Sequence, residues 1–236
     1  RGTYCRPGRA PLTDISLADV IHPIEWIASA ATTAPPSGSQ ILLWSLDQSQ
    51  LPLHEKWLAP DELARTVRMT QDRRNEFVSG RNALRMILGS FLGITPRDVA
   101  IRVSDTGKPH LGNHAVDFSF SHCQQKLLMA FSTEPLGADL ELVQSKPNLL
   151  RNASRLFDRR CCEQIEAADS EQERRSLFYQ FWSAHEAVQK IRGDGIFGER
   201  HLPSFVASFR LDGFRGAVAT SIEAPEFLMH EELPVL

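Results

Sequence analysis

Residues 77–89, FVSGRNALRMILG, align without a gap with residues 181–193, FWSAHEAVQKIRG, sharing Phe, Ser, Ala, Ile and Gly. An internal copy of this kind leaves few folds open, because each copy needs the same surroundings and the order of elements must repeat around it. The first copy lies in a stretch of helical apolar spacing over residues 61–92, with Phe77, Leu84, Leu88 and Phe91 on one face and Gly93 as a C-terminal cap. The second lies in a long helical region that runs through Ile191. Short strand candidates precede the copies at 41–44 and 136–141. Others follow them, at 99–103, 116–120 and 127–131 after the first and at 205–211 and 216–221 after the second. The repetition predicts an α+β fold of two similar α/β halves packed as an intramolecular pseudo-dimer, with a ligand cleft at their junction. The expected division is a flexible leader and linker over 1–40, a first half over 41–133, a second half over 134–225 and a C-terminal tail over 226–236.

Composition narrows the classes that remain. With 42% hydrophobic and 23% charged residues the chain of 236 residues can bury a core, and disorder throughout is excluded. Its formal charge of −3 leaves no broad positive field for a nucleic-acid backbone, so any anion site must be local. Cys5, Cys123, Cys161 and Cys162 fit neither a zinc ligand set nor a disulfide framework, which points to a reducing, cytoplasmic compartment. No apolar run reaches the roughly 18 residues that span a bilayer, and the N-terminus lacks the apolar core of a signal peptide. The first residue is Arg1 rather than methionine, which fits a piece of a longer chain.

Several residues could carry chemistry. Asp139 and Glu141 lie two apart in a strand candidate and so project from one face. Their repulsion can be offset by a divalent cation, a shared proton or strong donors, and all-oxygen ligands suit Mg²⁺. Glu186 supplies a third carboxylate from the helix of the same half, and Lys190 follows it at i,i+4. Ser121 and His122 end an alternating strand, where opposite-facing neighbours disfavour a direct Ser–His catalytic pair. Lys108, between Gly107 and Pro109, sits on a turn where an ammonium can meet phosphate, and Arg74, Arg81 and Arg85 gather on one helix face. Each feature by itself also fits a solvated strand edge, a turn histidine, a surface lysine or an ordinary helix pair, so none alone determines function.

In order, FVSGRNALRMILGSFLG, TGKPHL, VDFSFSHC, PLGADLEL and FYQFWSAHEAVQK resemble the surfactin-synthetase type of 4′-phosphopantetheinyl transferase. The resemblance implies a pseudo-dimeric, monomeric enzyme that binds coenzyme A and Mg²⁺ or Mn²⁺ between its halves. It implies transfer of the phosphopantetheine arm to a serine of an apo acyl or peptidyl carrier protein of fatty-acid, polyketide or nonribosomal-peptide synthesis, releasing adenosine 3′,5′-bisphosphate. By position, Asp139, Glu141 and Glu186 would ligate the metal, while Arg81, Lys108, Pro109, Ser121 and His122 would bind coenzyme A. Lys190 would lie near the reacting phosphoryl group, with Glu186 as the candidate base for the acceptor hydroxyl. The family's usual W-x-x-K-E-A reads Trp182-Ser-Ala-His185-Glu186-Ala187 here, so His185 replaces a permanent cation and would serve in its place as a catalytic phosphate donor or base. That departure leaves room for a coenzyme A-binding homologue of weakened turnover, and the acidic cluster for a Mg²⁺-dependent phosphohydrolase. Carrier proteins are generally acidic, which makes Arg151, Arg155, Arg159 and Arg160 a candidate docking run.

Overall fold

The apolar spacing around both copies produces the two longest helices among the described residues. The computed structural model describes residues 16–104, 107–112, 115–191 and 203–235. Cys5, Thr106 of the TGKPHL motif and the closing Gly193 of the second copy lie outside the described residues. Helix α1 (Leu17–Val20) and strands β1 (Ile21–Pro23) and β2 (Ala28–Ser29) precede β3 (Gln40–Asp47) and α2 (Pro60–Thr66). Helix α3 (Gln71–Leu92) leads through β4 (Ile101–Val103) and β5 (Pro109–Leu111) to β6 (Asp117–Cys123) and β7 (Lys126–Ser132). The order then repeats with β8 (Leu136–Leu142), α4 (Leu149–Leu156), α5 (Arg159–Glu166), α6 (Glu171–Ile191), β9 (Phe205–Leu211) and β10 (Phe214–Thr220). Strand β11 (Glu226–His230) follows.

The helical stretch expected over 61–92 is broken into α2 and α3. Thr70 adopts an extended backbone (φ −63°, ψ 160°) as the N-cap of α3, so the helical ladder restarts there. Gly93 ends α3 in the left-handed region (φ 65°), its N–H bonded to the Gly89 carbonyl. At the start of α6, the Ser170 hydroxyl accepts the Glu173 N–H at 3.1 Å.

The two larger sheets have the orders β2-β11-β3-β7-β6 and β1-β9-β10-β8, and β4 and β5 pair as a small two-stranded sheet. In each of the two larger sheets one strand is followed by the second and then the first strand of a hairpin, as β3-β7-β6 and β8-β10-β9. Strand alternation then sets the layers. Leu42, Trp44 and Leu46 of β3 pack with Leu84, Ile87 and Leu88 of α3. Ile41 and Leu43, on the opposite face, join Leu136, Ala138 and Leu140 of β8 in a core between the sheets. Phe178, Phe181 and Val188 of α6 close the far side with Val206 and Ala217. Among the described residues no helix is long and apolar enough to cross a membrane, and Cys123, Cys161 and Cys162 are free thiols.

Both ends carry more structure than the expected leader and tail. Strand β1 pairs in parallel with β9, Ile21 opposite Val206, and Leu17 is buried against α6. Strand β11 pairs in parallel with β3, Phe227 opposite Ile41, and buries Met229 in the core between the sheets. Strand β1 therefore extends the β8-β10-β9 sheet, and β11, with β2 paired beyond it, extends the β6-β7-β3 sheet. Each covers an edge or face that would otherwise stay open.

Candidate active site at the seam between the sheets

Strands β6 and β8 are terminal strands of the two sheets and run side by side. Side chains join them where a strand ladder is absent. Asp117, Ser119 and Ser121 share one face of β6 by strand alternation. The Leu136 N–H donates to Asp117 Oδ2 at 2.9 Å, the Ala138 N–H donates to Ser119 Oγ at 2.9 Å, and Ser121 Oγ donates to Asp139 Oδ1 at 2.8 Å. Polar side chains thus satisfy edge amides of β8 and end on a carboxylate.

Helix α6 lies directly over this seam because Gly137 allows it. A Cβ at Gly137 would stand 2.0 Å from the Ala187 carbonyl oxygen and 2.7 Å from the Ile191 nitrogen. Gly137, Asp139 and Glu141 alternate onto the face that α6 covers, so the glycine's lack of a side chain brings the helix down to the two acids. Lys190 Nζ donates to Asp139 Oδ1 at 2.8 Å, to the Ala138 carbonyl at 2.8 Å and to the Phe120 carbonyl at 3.4 Å. Asp139 is 5% exposed, and its Oδ2 is buried without a hydrogen-bond partner. Trp182 Nε1 donates to Glu141 Oε1 at 2.9 Å. Burial first, then the Asp139 charge, with a smaller push from Glu186, hold the Glu141 carboxyl above the usual carboxylate range against the Trp182 N–H and Lys146. Glu186 sits one helical turn before Lys190, and His185 precedes it with its ring centroid 6.5 Å from that of Trp182.

A second group lies across β6. A cleft of about 290 Å³ is lined by Arg65, Arg73, Phe77, Arg81, Pro109, Phe120 and His122. Arg81 is 7% exposed, its Nε 3.3 Å from Glu62 Oε1, with one terminal guanidinium nitrogen lacking a partner. Its guanidinium lies 5.4 Å from the Phe77 ring centroid and 5.8 Å from that of Phe120. Burial lowers its pKa from the ordinary arginine value.

The structure divides the candidate residues by the pleat of β6. His122 lines the cleft with Arg81 and Pro109, whereas Ser121 turns to Asp139 on the seam. Lys108 also faces the seam, donating to Asp117 Oδ2 at 3.0 Å and to the Leu136 carbonyl at 3.2 Å. The expected Arg74, Arg81 and Arg85 face does not form. Arg74 pairs with Glu55 at the surface, while Arg85 is buried and donates to Glu62 Oε2 at 2.6 Å and to the Val99 carbonyl at 2.7 Å. Arg65 and Arg73 take their places around the cleft; Arg73 and Phe77, four apart, carry the helical signal for that face. In the candidate docking run, Arg159 pairs with Glu163 and Arg160 with Asp19.

Whether these residues suit a divalent cation is decided by the oxygens. Among the described residues no three His, Cys, Asp or Glu side chains already form a metal-binding group. The orphaned Asp139 Oδ2 and the mutually repelling Asp139 and Glu141 nevertheless make an all-oxygen donor set that a hard cation fits. Beside a fixed ammonium and a cleft lined by Arg65, Arg73 and Arg81 against the one carboxylate of Glu76, that set suits a phosphorylated substrate.

Comparison with known proteins agrees. Residues 135–219 match the family described as the 4′-phosphopantetheinyl transferase superfamily. The chain is 35% identical over 167 residues to the 4′-phosphopantetheinyl transferase HetI of Nostoc sp. (strain PCC 7120), covering 66% of this chain and 70% of that protein. It is 33% identical over 164 residues to slr0495 of Synechocystis sp. (strain PCC 6803), covering 67% and 66%. It is 27% identical over 166 residues to the 4′-phosphopantetheinyl transferase Sfp of Bacillus subtilis, covering 66% and 70%. The chain belongs to the 4′-phosphopantetheinyl transferase superfamily.

Proposed function

We propose that the protein transfers the 4′-phosphopantetheine arm of coenzyme A to a serine hydroxyl of an apo acyl or peptidyl carrier protein, releasing adenosine 3′,5′-bisphosphate. The observation that carries this reading is Asp139, buried at the β6–β8 seam with one oxygen orphaned and the other held by Ser121 and Lys190. Asp139, Glu141 and Glu186 would hold Mg²⁺, or Mn²⁺ in its place, and the cation supplies neutralising charge to the pyrophosphate. Arg81 and His122 at the cleft bind phosphate of coenzyme A, the Arg81 guanidinium supplying the positive charge. Lys190 fixes Asp139 and places a cation beside the reacting centre, while Lys108 and Ser121 hold the β6 side of the seam. Glu186, on the same face of α6, accepts the proton of the acceptor hydroxyl.

The test is intact-mass spectrometry of a panel of apo carrier proteins after incubation with the protein, coenzyme A and Mg²⁺. Gain of the phosphopantetheine mass on a carrier, lost with Asp139→Ala, is the expected result. Nucleotide release without a carrier would instead mark a phosphohydrolase, and coenzyme A binding without transfer a binding protein.

A further inference from the structure

After β8 the chain folds back onto α6 and places the Lys146 ammonium over three rings. Its Nζ lies 4.9 Å from the centroid of Phe178, 5.0 Å from that of Trp182 and 5.8 Å from that of Tyr179. Phe178 and Trp182, one helical turn apart, are parallel to within 6° with centroids 6.4 Å apart. The plane of the Trp182 indole is therefore fixed by contacts to its face, and a fixed plane fixes the direction of the N–H at its edge. That N–H meets Glu141 Oε1 at 2.9 Å. The Glu141 carboxylate is thus held by a donor whose own orientation is set by a cation five residues further along the chain.

We infer that Lys146 is a positioning residue for Glu141, acting through the Trp182 indole N–H. This rests on the reading of Glu141 as a metal ligand. Groups that orient a ligand affect metal affinity more than substrate binding, and losing one costs about ten-fold or more in affinity.

The experiment measures Mn²⁺ binding to the resting protein by electron paramagnetic resonance, without coenzyme A or carrier, beside steady-state kinetics. Lys146→Met is expected to weaken Mn²⁺ binding about ten-fold, leaving the KM for coenzyme A unchanged. Lys146→Arg, which keeps a cation over the rings, restores wild-type binding. Trp182→Phe keeps an aromatic face under the ammonium and removes the N–H with the smaller ring, so it reproduces the loss even if Lys146→Met does not fold. The double variant Lys146→Met/Trp182→Phe is expected to be no weaker than Trp182→Phe, because both changes break one chain of contacts. Unchanged Mn²⁺ binding in Trp182→Phe, or multiplying losses in the double variant, would overturn the inference while leaving the metal reading intact. Absence of Mn²⁺ binding by the wild-type protein would overturn both.

Discussion

Lys190 of α6 and Asp139 of β8 meet at 2.8 Å across the seam, and the same ammonium reaches backbone carbonyls of both β6 and β8. One side chain from the second half's helix thereby ties the terminal strands of both sheets to a nearly buried carboxylate. Lys190→Met leaves Asp139 without its cation and two carbonyls without a donor. The expected loss is about 2 kcal/mol of stability, reduced from the fully buried case because Lys190 retains some solvent contact. In a chain of this size that lowers the Tm by about 4–8 °C by calorimetry. Transfer activity is expected to fall by about 100-fold at saturating Mg²⁺.

Gly137 decides how near α6 comes to the two acids. With a Cβ only 2.0 Å from the Ala187 carbonyl oxygen, Gly137→Ala forces the helix backbone to move, since no flexible side chain can yield there. The expected cost is at least about 3 kcal/mol, measured by urea denaturation. A folded Gly137→Ala protein is also expected to lose Mn²⁺ binding, because Lys190 and Glu186 retreat together with the helix.

The long helices and the seam are legible in the sequence because both rest on periods short enough to read locally. The alternation of Asp117, Ser119 and Ser121 already separates Ser121 from His122, and the Gly137-Ala-Asp139-Leu-Glu141 alternation already puts both acids on one face. Strand β11 is different: it pairs Glu226 with Gln40, and no local pattern in five residues announces a partner so distant in the chain. The break between α2 and α3 resets the helical phase and hides Arg65, which joins Arg73 and Arg81 at the cleft, while Arg74 and Arg85 of α3 are taken up by Glu55 and Glu62, partners that no local pattern announces. Lys108 reads as a turn lysine, and only the approach of β8 to β6 gives it Asp117 and the Leu136 carbonyl.

His230 connects the end of the chain to pH. It is 2% exposed, its ring centroid 4.5 Å from that of Trp44, its Nδ1 3.1 Å from Ser29 Oγ, and its Nε2 unpartnered. Burial holds its pKa below the ordinary imidazole value, against smaller opposing contributions from the Ser29 and Ala30 backbone. Below about pH 6.5 the unfolded chain therefore takes up a proton that the folded protein resists. Stability is expected to fall as the pH drops from that value toward the lowered one, and to be regained on raising it. His230→Phe, which keeps a ring against Trp44, should flatten that part of the stability profile in denaturant titrations at pH 5 to 7. An unaltered slope would assign the acid sensitivity to other groups.

Arg81 and His185 occupy the same place in the two copies, each five residues before the position held by Met86 in one and Lys190 in the other. The copies have used that place differently. Arg81 lies against Phe77 and Phe120 at the cleft with one buried guanidinium nitrogen unpartnered, while His185 stands beside Trp182 and next to Glu186. Arg81→Lys keeps the charge but loses the planar fork that can hold an anion and Glu62 together, so the KM for coenzyme A is expected to rise about ten-fold with little change in kcat. His185→Lys introduces a permanent cation where the family usually has one, and is expected to lower the KM for coenzyme A. Steady-state kinetics of both variants against one carrier protein check the pair. A rise with Arg81→Lys and a fall with His185→Lys would show both copies of the helix contributing charge to one substrate, as expected of a duplicated element facing a shared site.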